Sequence, residues 1–277
     1  MHASAFLMDL ARMVAFFGLA LAIFAPLERV FAARRQKIVR PAFGTDLAYY
    51  VINGIVPKLL LVAPLAVLAW SVHRAFPIVY FQQMAALPMP IRLVGALLVG
   101  DFGYYWGHRW MHRFPVLWRF HAIHHSAEHM DWLVNTRSHP VDILFGRMCS
   151  YVPLYALGLL QPTATRADSV QLLFLLIGNL WSYFIHANIR WRFGALESVI
   201  ATPAFHHWHH TNDGPAYVDK NFASMMPFLD RLFGTYYVPG HLPGSYGIAS
   251  PMPRDLAGQL LYPVLPPSPP APSPAAT

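Results

Sequence analysis

Five stretches of this chain are apolar over lengths that approach or reach what a helix needs to cross a bilayer, about 20 residues. They run over residues 6–27, 47–70, 89–107, 143–160 and 169–187. Backbone inside lipid has no water to bond, so runs of this kind are confined to helices. The expected fold class is all-α: a multi-span helical membrane protein of about four to five transmembrane or re-entrant helices. Two runs carry a basic residue in their interior, Lys58 in the second and Arg147 in the shorter fourth. The last two are joined only by Gln161 to Asp168, which fits either two crossings or a re-entrant hairpin.

Composition agrees with a membrane protein. Of 277 residues, 12% are charged, against about 25% in ordinary soluble domains. The formal charge of +7 does not define a nucleic-acid partner, because the basic residues sit beside apolar runs. There they set topology and meet anionic lipid head groups. A single cysteine, Cys149, excludes an intramolecular disulfide framework and a cysteine-based zinc or iron–sulfur site. A secretory signal carries its positive charge before the apolar run. Here most of it follows, in Arg29, Arg34, Arg35, Lys37 and Arg40, so the N-terminus reads as an uncleaved anchor.

Residues 1–45 are thus expected to form an anchor and basic linker, 46–240 a catalytic membrane domain, and 241–277 a Pro-rich disordered tail. Basic residues recur after every second run: in the 29–40 linker, then Arg109, Arg113 and Arg119, then Arg190 and Arg192. The positive-inside rule makes that side cytoplasmic, which for a bacterial protein places the chain in the inner membrane.

Three histidine groups lie on that side: His108-Arg-Trp-Met-His112, His121-Ala-Ile-His124-His125 and His206-His207-Trp-His209-His210. Without His207 they read H-x3-H, H-x2-H-H and H-x2-H-H. Spacings of three and four put side chains on one helix face. Pro115 ends the helix of the first group and a new helix is expected to carry the second. His207 falls roughly 100° round the helix from His206 and is left out of the ligand set. Eight imidazoles exceed what one tetrahedral zinc can use, which favours two metal ions. Asp101, two turns before His108, is expected to be a carboxylate taking a ligand imidazole's other N–H.

These boxes and their flanks resemble the membrane-bound sterol desaturase and fatty acid hydroxylase superfamily of di-iron oxygenases. The flanks are Asp101-Phe-Gly-Tyr-Tyr-Trp-Gly-His108, Asn135-Thr-Arg-Ser-His139-Pro140, Phe184-Ile-His186-Ala-Asn188, Asp219-Lys-Asn221-Phe222 and Asp230-Arg231-Leu-Phe-Gly-Thr235. The resemblance covers roughly residues 45 to 240. It implies two iron ions and O2 as co-substrate. It also implies hydroxylation or desaturation of a lipid C–H bond, whether in a sterol, a fatty acyl chain or a related lipid. It adds His186 to the ligands, making the expected set His108, His112, His121, His124, His125, His186, His206, His209 and His210. His139 fits a turn or a ligand equally. His129 reads as solvated or as supporting a ligand, and His2, His73 and His241 as ordinary. No His-Pro-Gly-Gly haem segment occurs, so electrons are expected from a separate donor of ferredoxin or cytochrome b5 type with its reductase. The aromatics near the boxes read mainly as an interfacial belt, a few lining an apolar cleft for a lipid tail.

Ligand type alone does not select iron, since imidazole also suits zinc, copper and nickel. Two other classes fit clustered histidines: a membrane metal-binding or metal-transport protein, and a metal-dependent hydrolase. Transporters hold their ligands near the bilayer midplane, whereas these groups lie beyond span ends. A hydrolase wants a glutamate base, and no histidine box contains one.

Overall fold

The computed structural model describes residues 3–160 and 169–266. Those residues form helices and irregular segments, with two isolated β-bridges, Ala32 to Ile189 and Thr211 to Tyr246. The long helices are α1 (Ala3–Val30), α2 (Phe43–Ala75), α4 (Met89–Arg113), α6 (Pro140–Ala156) and α7 (Ser169–His186). Shorter ones are α3 (Ile78–Ala86), α5 (Pro115–His125), α8 (Pro203–His209), α9 (Phe228–Leu232) and α10 (Leu256–Leu261).

Three helices, α1 from Leu7, α2 and α7, are each long and apolar enough to cross a membrane among the described residues. The 89–107 run belongs to α4, which qualifies only together with α3, bent from it by 111°. Asp101, His108, Arg109, His112 and Arg113 dilute the apolar character of α4. The 143–160 run becomes α6, 17 residues long and ending at Ala156. The linker between α6 and α7 lies outside the described residues. Apolar side chains such as Leu59, Val62, Val67 and Trp70 of α2 face outward, as lipid contact requires.

All five long helices bring one end to the same place. The C-terminal ends of α1 and α7 are tied by Ala33 N–H to the Asn188 carbonyl and Arg190 N–H to the Phe31 carbonyl. The N-terminal end of α2 meets the 131–138 segment, where the Thr136 hydroxyl donates to the Asp46 carbonyl at 2.8 Å. There α4 turns into α5: Phe114 is extended and Pro115 opens the new helix, as a proline at the first helical position favours. Pro140 and Pro203 open α6 and α8 in the same way. The short helices and loops form a cap over this end.

Composition assigned everything after residue 240 to a disordered tail, yet residues 241–266 fold onto the cap. Tyr246 is buried, and the Arg119 guanidinium donates to the carbonyls of Tyr262 (2.8 Å) and Leu265. Local polar contacts that a proline count does not register hold this segment. The Pro-rich ending, 267–277, lies outside the described residues.

Helices α4 and α6 approach closely because Gly103 and Gly107 face Cys149. A Cβ built on Gly103 would lie 2.3 Å from the Cys149 carbonyl oxygen, and one on Gly107 2.8 Å from its Sγ. Small residues four apart permit such backbone contact in membranes. Gly103→Val should cost roughly 1–3 kcal/mol through overpacking, read as earlier thermal unfolding in detergent. Gly18→Ala, with nothing within 4 Å of the added Cβ, should not bring unfolding earlier, and helix propensity should delay it slightly.

Candidate metal centre

The last two turns of α4 present His108 and His112, and the end of α5 presents His121, His124 and His125. His186 is the final residue of α7. Thr202 caps α8 by accepting the Phe205 N–H, and α8 runs straight into the third group. The folded chain sorts these histidines into two clusters. His108, His112, His121, His125 and His209 form one, and His124, His186, His206 and His210 the other. Within each, one nitrogen per ring lies within 4.8 Å of all the others. All nine histidines expected as ligands fall in these clusters. The rings of His125 and His210 stack at 4.5 Å and join the two.

The decisive detail is which nitrogens meet. His108 and His121 approach Nε2 to Nε2 at 3.0 Å, His121 and His125 at 3.1 Å. In the other cluster, the His186 Nε2 lies 3.2 Å from that of His124 and 3.0 Å from that of His206, with His206 to His210 at 3.1 Å. Several of these rings already spend their proton on the far side. His108 Nδ1–H donates to the Phe222 carbonyl (2.7 Å), His124 to Arg137 (3.0 Å) and His186 to Ser182 (2.7 Å). His209 donates to Lys220 (2.8 Å), and His121 donates to the Asp142 carboxylate (3.1 Å). A carbonyl or carboxylate oxygen can only accept, so each of these neutral rings carries its proton on Nδ1. Its Nε2 holds a lone pair. The contacts between His108 and His121, and between His124 and His186, are therefore lone pair against lone pair. The Nε2 atoms of His112 and His209 are buried without a hydrogen-bond partner. Inward lone pairs with outward N–H groups anchored on oxygen form the donor set of a cation, so the residues fit a metal.

Electrostatics favour the same state. Burial holds the His125, His206, His209 and His210 imidazoles well below their ordinary range, and neighbouring histidines add to this. Burial likewise lowers His124 to about 4. Neutral imidazole is the form that ligates.

One short segment orients most of the five-histidine cluster. Asp219 Oδ1 accepts from His112 Nδ1 at 3.0 Å, and the Lys220 and Phe222 carbonyls hold His209 and His108. Asp219 and Asn221 adopt positive φ, 58° and 60°, a conformation asparagine and aspartate tolerate best among non-glycine residues. Buried Asn221 fixes the turn, donating to the Phe205 and Tyr237 carbonyls and accepting the Tyr237 N–H.

The structure corrects the expectation for Asp101. Its carboxylate touches no imidazole. It accepts instead from the Ser224 N–H and hydroxyl and from the Met225 and Met226 N–H groups. Asp230 similarly takes the Phe222 and Ala223 N–H groups. Both carboxylates clamp the loop that supplies the His108 acceptor, because loop 222–226 crosses α4 where an imidazole partner was expected. The buried carboxylate that receives a clustered imidazole, beside the exposed Asp219, is Asp142, in the first turn of α6, where an acid is ordinarily read as complementing the helix dipole. His139 lies outside the clusters: its Nδ1 accepts the Val141 N–H and its Nε2 donates to the Leu260 carbonyl. His207 is buried but points away, to the Ala187 carbonyl and the Tyr246 hydroxyl. His129 belongs to neither cluster.

Beneath the second cluster lies a buried ion network. Arg40 pairs with Asp131 (2.5 Å) and Asp46 (2.7 Å), and Arg137 with Asp46 (2.5 Å). It sets the backbone of the segment whose Arg137 carbonyl takes the His124 proton. A cavity of about 510 Å³ opens from His108, His121, His124, His186 and His206 into the space between the long helices. Polar groups share its wall with aromatics: Asn53, Asn135, Ser150, Ser182, Lys58 and Arg147 all line it.

Fold and site together define a helical membrane protein with a paired polyhistidine centre under a cap. The fatty acid hydroxylase family model matches residues 93–235, which hold every clustered histidine. The chain belongs to that family. It is 34% identical to an ornithine lipid hydroxylase of Rhizobium tropici over 64% of this chain and 51% of that protein. It is 34% identical to an alkylglycerol monooxygenase of Danio rerio over 57% and 33%. A Delta(7)-sterol 5(6)-desaturase of Gibberella zeae is 30% identical over 52% and 37%. The chain thus spans about half the length of the first of these relatives and a third of the second. No solved structure matches it.

Replacing Asp142 by alanine frees the His121 ring and should weaken metal retention about 10–100-fold, measured by chelator competition on purified protein. Asp101→Asn keeps part of the loop clamp and should have a smaller effect; equal losses would put both carboxylates at the same remove from the ligands.

Proposed function

We propose that the protein is a membrane-bound di-iron oxidoreductase that uses O2 to hydroxylate or desaturate a C–H bond of a lipid. The observation that carries this reading is the set of Nε2 lone pairs facing one another from two adjacent clusters. The relatives named above, a lipid hydroxylase, a monooxygenase and a desaturase, supply the reaction class. The catalytic unit is residues 46–240. His108, His112, His121, His125 and His209 would hold one iron, and His124, His186, His206 and His210 the other. Bound there, the iron pair supplies reductive activation of O2.

The residues of the chain do the rest. Carbonyls, Asp142 and Asp219 on the outer nitrogens fix the orientation of six of the nine rings and keep their Nε2 atoms free of a proton. The cap and the buried rings keep bulk water from the clusters. The cavity leads a membrane-dissolved substrate to the histidines from the side of the helices. In hydroxylation one C–H becomes C–OH and the second oxygen atom leaves as water, consuming two electrons and two protons. In desaturation two hydrogens leave the lipid and both oxygen atoms become water. The electrons come from a separate donor protein of ferredoxin or cytochrome b5 type with its reductase. The clusters face the cytoplasm, on the side of the basic 29–40 linker, at the inner membrane in a bacterial cell.

Purified protein should contain two irons per chain. Expression should shift one lipid class by plus one oxygen or minus two hydrogens in whole-cell lipid mass spectra. His124→Ala and His209→Ala should each abolish that shift while the protein still inserts in the membrane; an unchanged shift in either, or stoichiometric zinc from iron-replete cells, overturns the reading. Reporter fusions after Arg119 and after Thr235 should both read cytoplasmic. A split result would put the boxes on opposite faces and rule out a shared centre.

A further inference from the structure

The wall of the main cavity carries two cations that neither the metal centre nor a carboxylate among the described residues engages. Lys58 stands midway along α2 and Arg147 midway along α6, both inside apolar helices and both lining the cavity. Neither pairs with a carboxylate among the described residues. The one acid among the cavity-lining residues, Asp142, is taken by His121. A third lining cation, Arg12, already has Asp9 at 3.3 Å. Lys58 lies in α2, a candidate span, where an unpaired cation costs several kcal/mol unless something meets it and is a functional candidate by default.

The position of the two residues fixes what they can reach. Asn53 in α2 donates to the Ser138 carbonyl, beside His124, and Lys58 is five residues further on, about 7.5 Å along the helix. Asp142 in α6 touches His121, and Arg147 is likewise five residues on, about 7.5 Å. Two cations on neighbouring helices therefore stand at the same depth below the two clusters. Asn135 and Ser182, which bond to each other at 2.5 Å, and Ser150 give the same cavity neutral polar groups. A wall built only to hold an acyl or sterol body needs none of these.

We propose, resting on the oxidoreductase reading above, that the substrate is an acidic lipid. Its phosphate or carboxylate sits between Lys58 and Arg147, and the carbon to be oxidised lies a few bonds from that charge, beside the histidines. Oxidation then falls in or next to the head group rather than far down a tail. A bidentate arginine and a point-charge lysine suit either anion.

The test uses full-length protein purified in mild detergent after exchange against mixed vesicles of phosphatidylcholine with equal small fractions of phosphatidylglycerol, oleate and diacylglycerol. Lipid retained after washing is quantified by mass spectrometry, and iron is measured on the same sample. Wild type should retain acidic over neutral lipid by about tenfold or more, the scale of one or two charge-assisted contacts. The phosphatidylglycerol and oleate arms tell phosphate from carboxylate. The Lys58→Met, Arg147→Gln double variant should fall to the input ratio with iron content unchanged, and Lys58→Arg, Arg147→Lys should restore the enrichment. Equal retention of acidic and neutral lipid by wild type, or enrichment that survives the double variant, overturns the proposal. If the double variant misfolds, the charge-conserving variant alone decides: enrichment at the wild-type level supports the cation site, and its loss in a folded, iron-loaded protein refutes it. Iron-free protein that still shows charge-dependent enrichment would instead sink the di-iron reading and leave the acidic-lipid site standing.

Discussion

Lone pairs that face one another at hydrogen-bond distance repel, and the cap exists to hold several of them in that arrangement. Each ring must be stopped from turning its N–H inward. For six of the nine rings the chain does this by giving the outer nitrogen a partner that can only accept: Phe222, Arg137, Ser182 and Lys220 carbonyls, and the Asp142 and Asp219 carboxylates. Those acceptors are immobile because further buried groups fix them. Asp101 and Asp230 clamp loop 222–226, Asn221 locks the turn before it, and the Arg40, Asp46, Asp131 and Arg137 network sets the loop after α5. Much of the buried polarity outside the clusters thus serves the orientation of imidazoles.

This dependence also explains why polar groups so costly to bury persist in an apolar protein. A buried ion pair gains little over well-packed hydrophobic residues. Its value here is positional, because the carbonyl of Arg137 belongs to the same residue whose guanidinium is pinned by Asp46. Gly103 and Gly107 make a parallel contribution by bringing α6, and with it Asp142, against α4. Distance between helices and orientation of a ring are set by the same contact.

The histidine spacing disclosed eight of the nine clustered residues, because that information lies in local helical periods; His186 came only from the family resemblance. The apolar runs disclosed α1, α2 and α7. Sequence reading failed where an interaction joins distant segments. Asp101 lies on the same helix as His108 and looked like its partner, but Ser224, 123 residues later, and the N–H groups that follow it take the carboxylate. Asp142 carried no expectation, since an acid in a first helical turn ordinarily does no more than complement the helix dipole. Nothing local separates the two. Reading 241–277 as a Pro-rich tail likewise hid Tyr246 and α10, which are held by contacts to His207 and His139 from elsewhere in the chain. Lys58 and Arg147 were visible as blemishes in apolar runs, and only the packing of α2 beside α6 brings them to one cavity.

The unequal partition of ligands between the clusters gives the two positions different histories during synthesis. Four of the five histidines in the larger cluster have left the ribosome once residue 125 has emerged, and they are supplied by adjoining helices. The smaller cluster then has only His124 and must wait for His186, His206 and His210. Closing the short α4–α5 connection costs less chain entropy than closing the loop back to the third box. The larger cluster therefore has most of its rings early, but the acceptors that orient them, Asp142, Asp219 and the Lys220 and Phe222 carbonyls, arrive later in the chain. Both halves are therefore finished by the same late event, the folding of the third box and the segment that follows it.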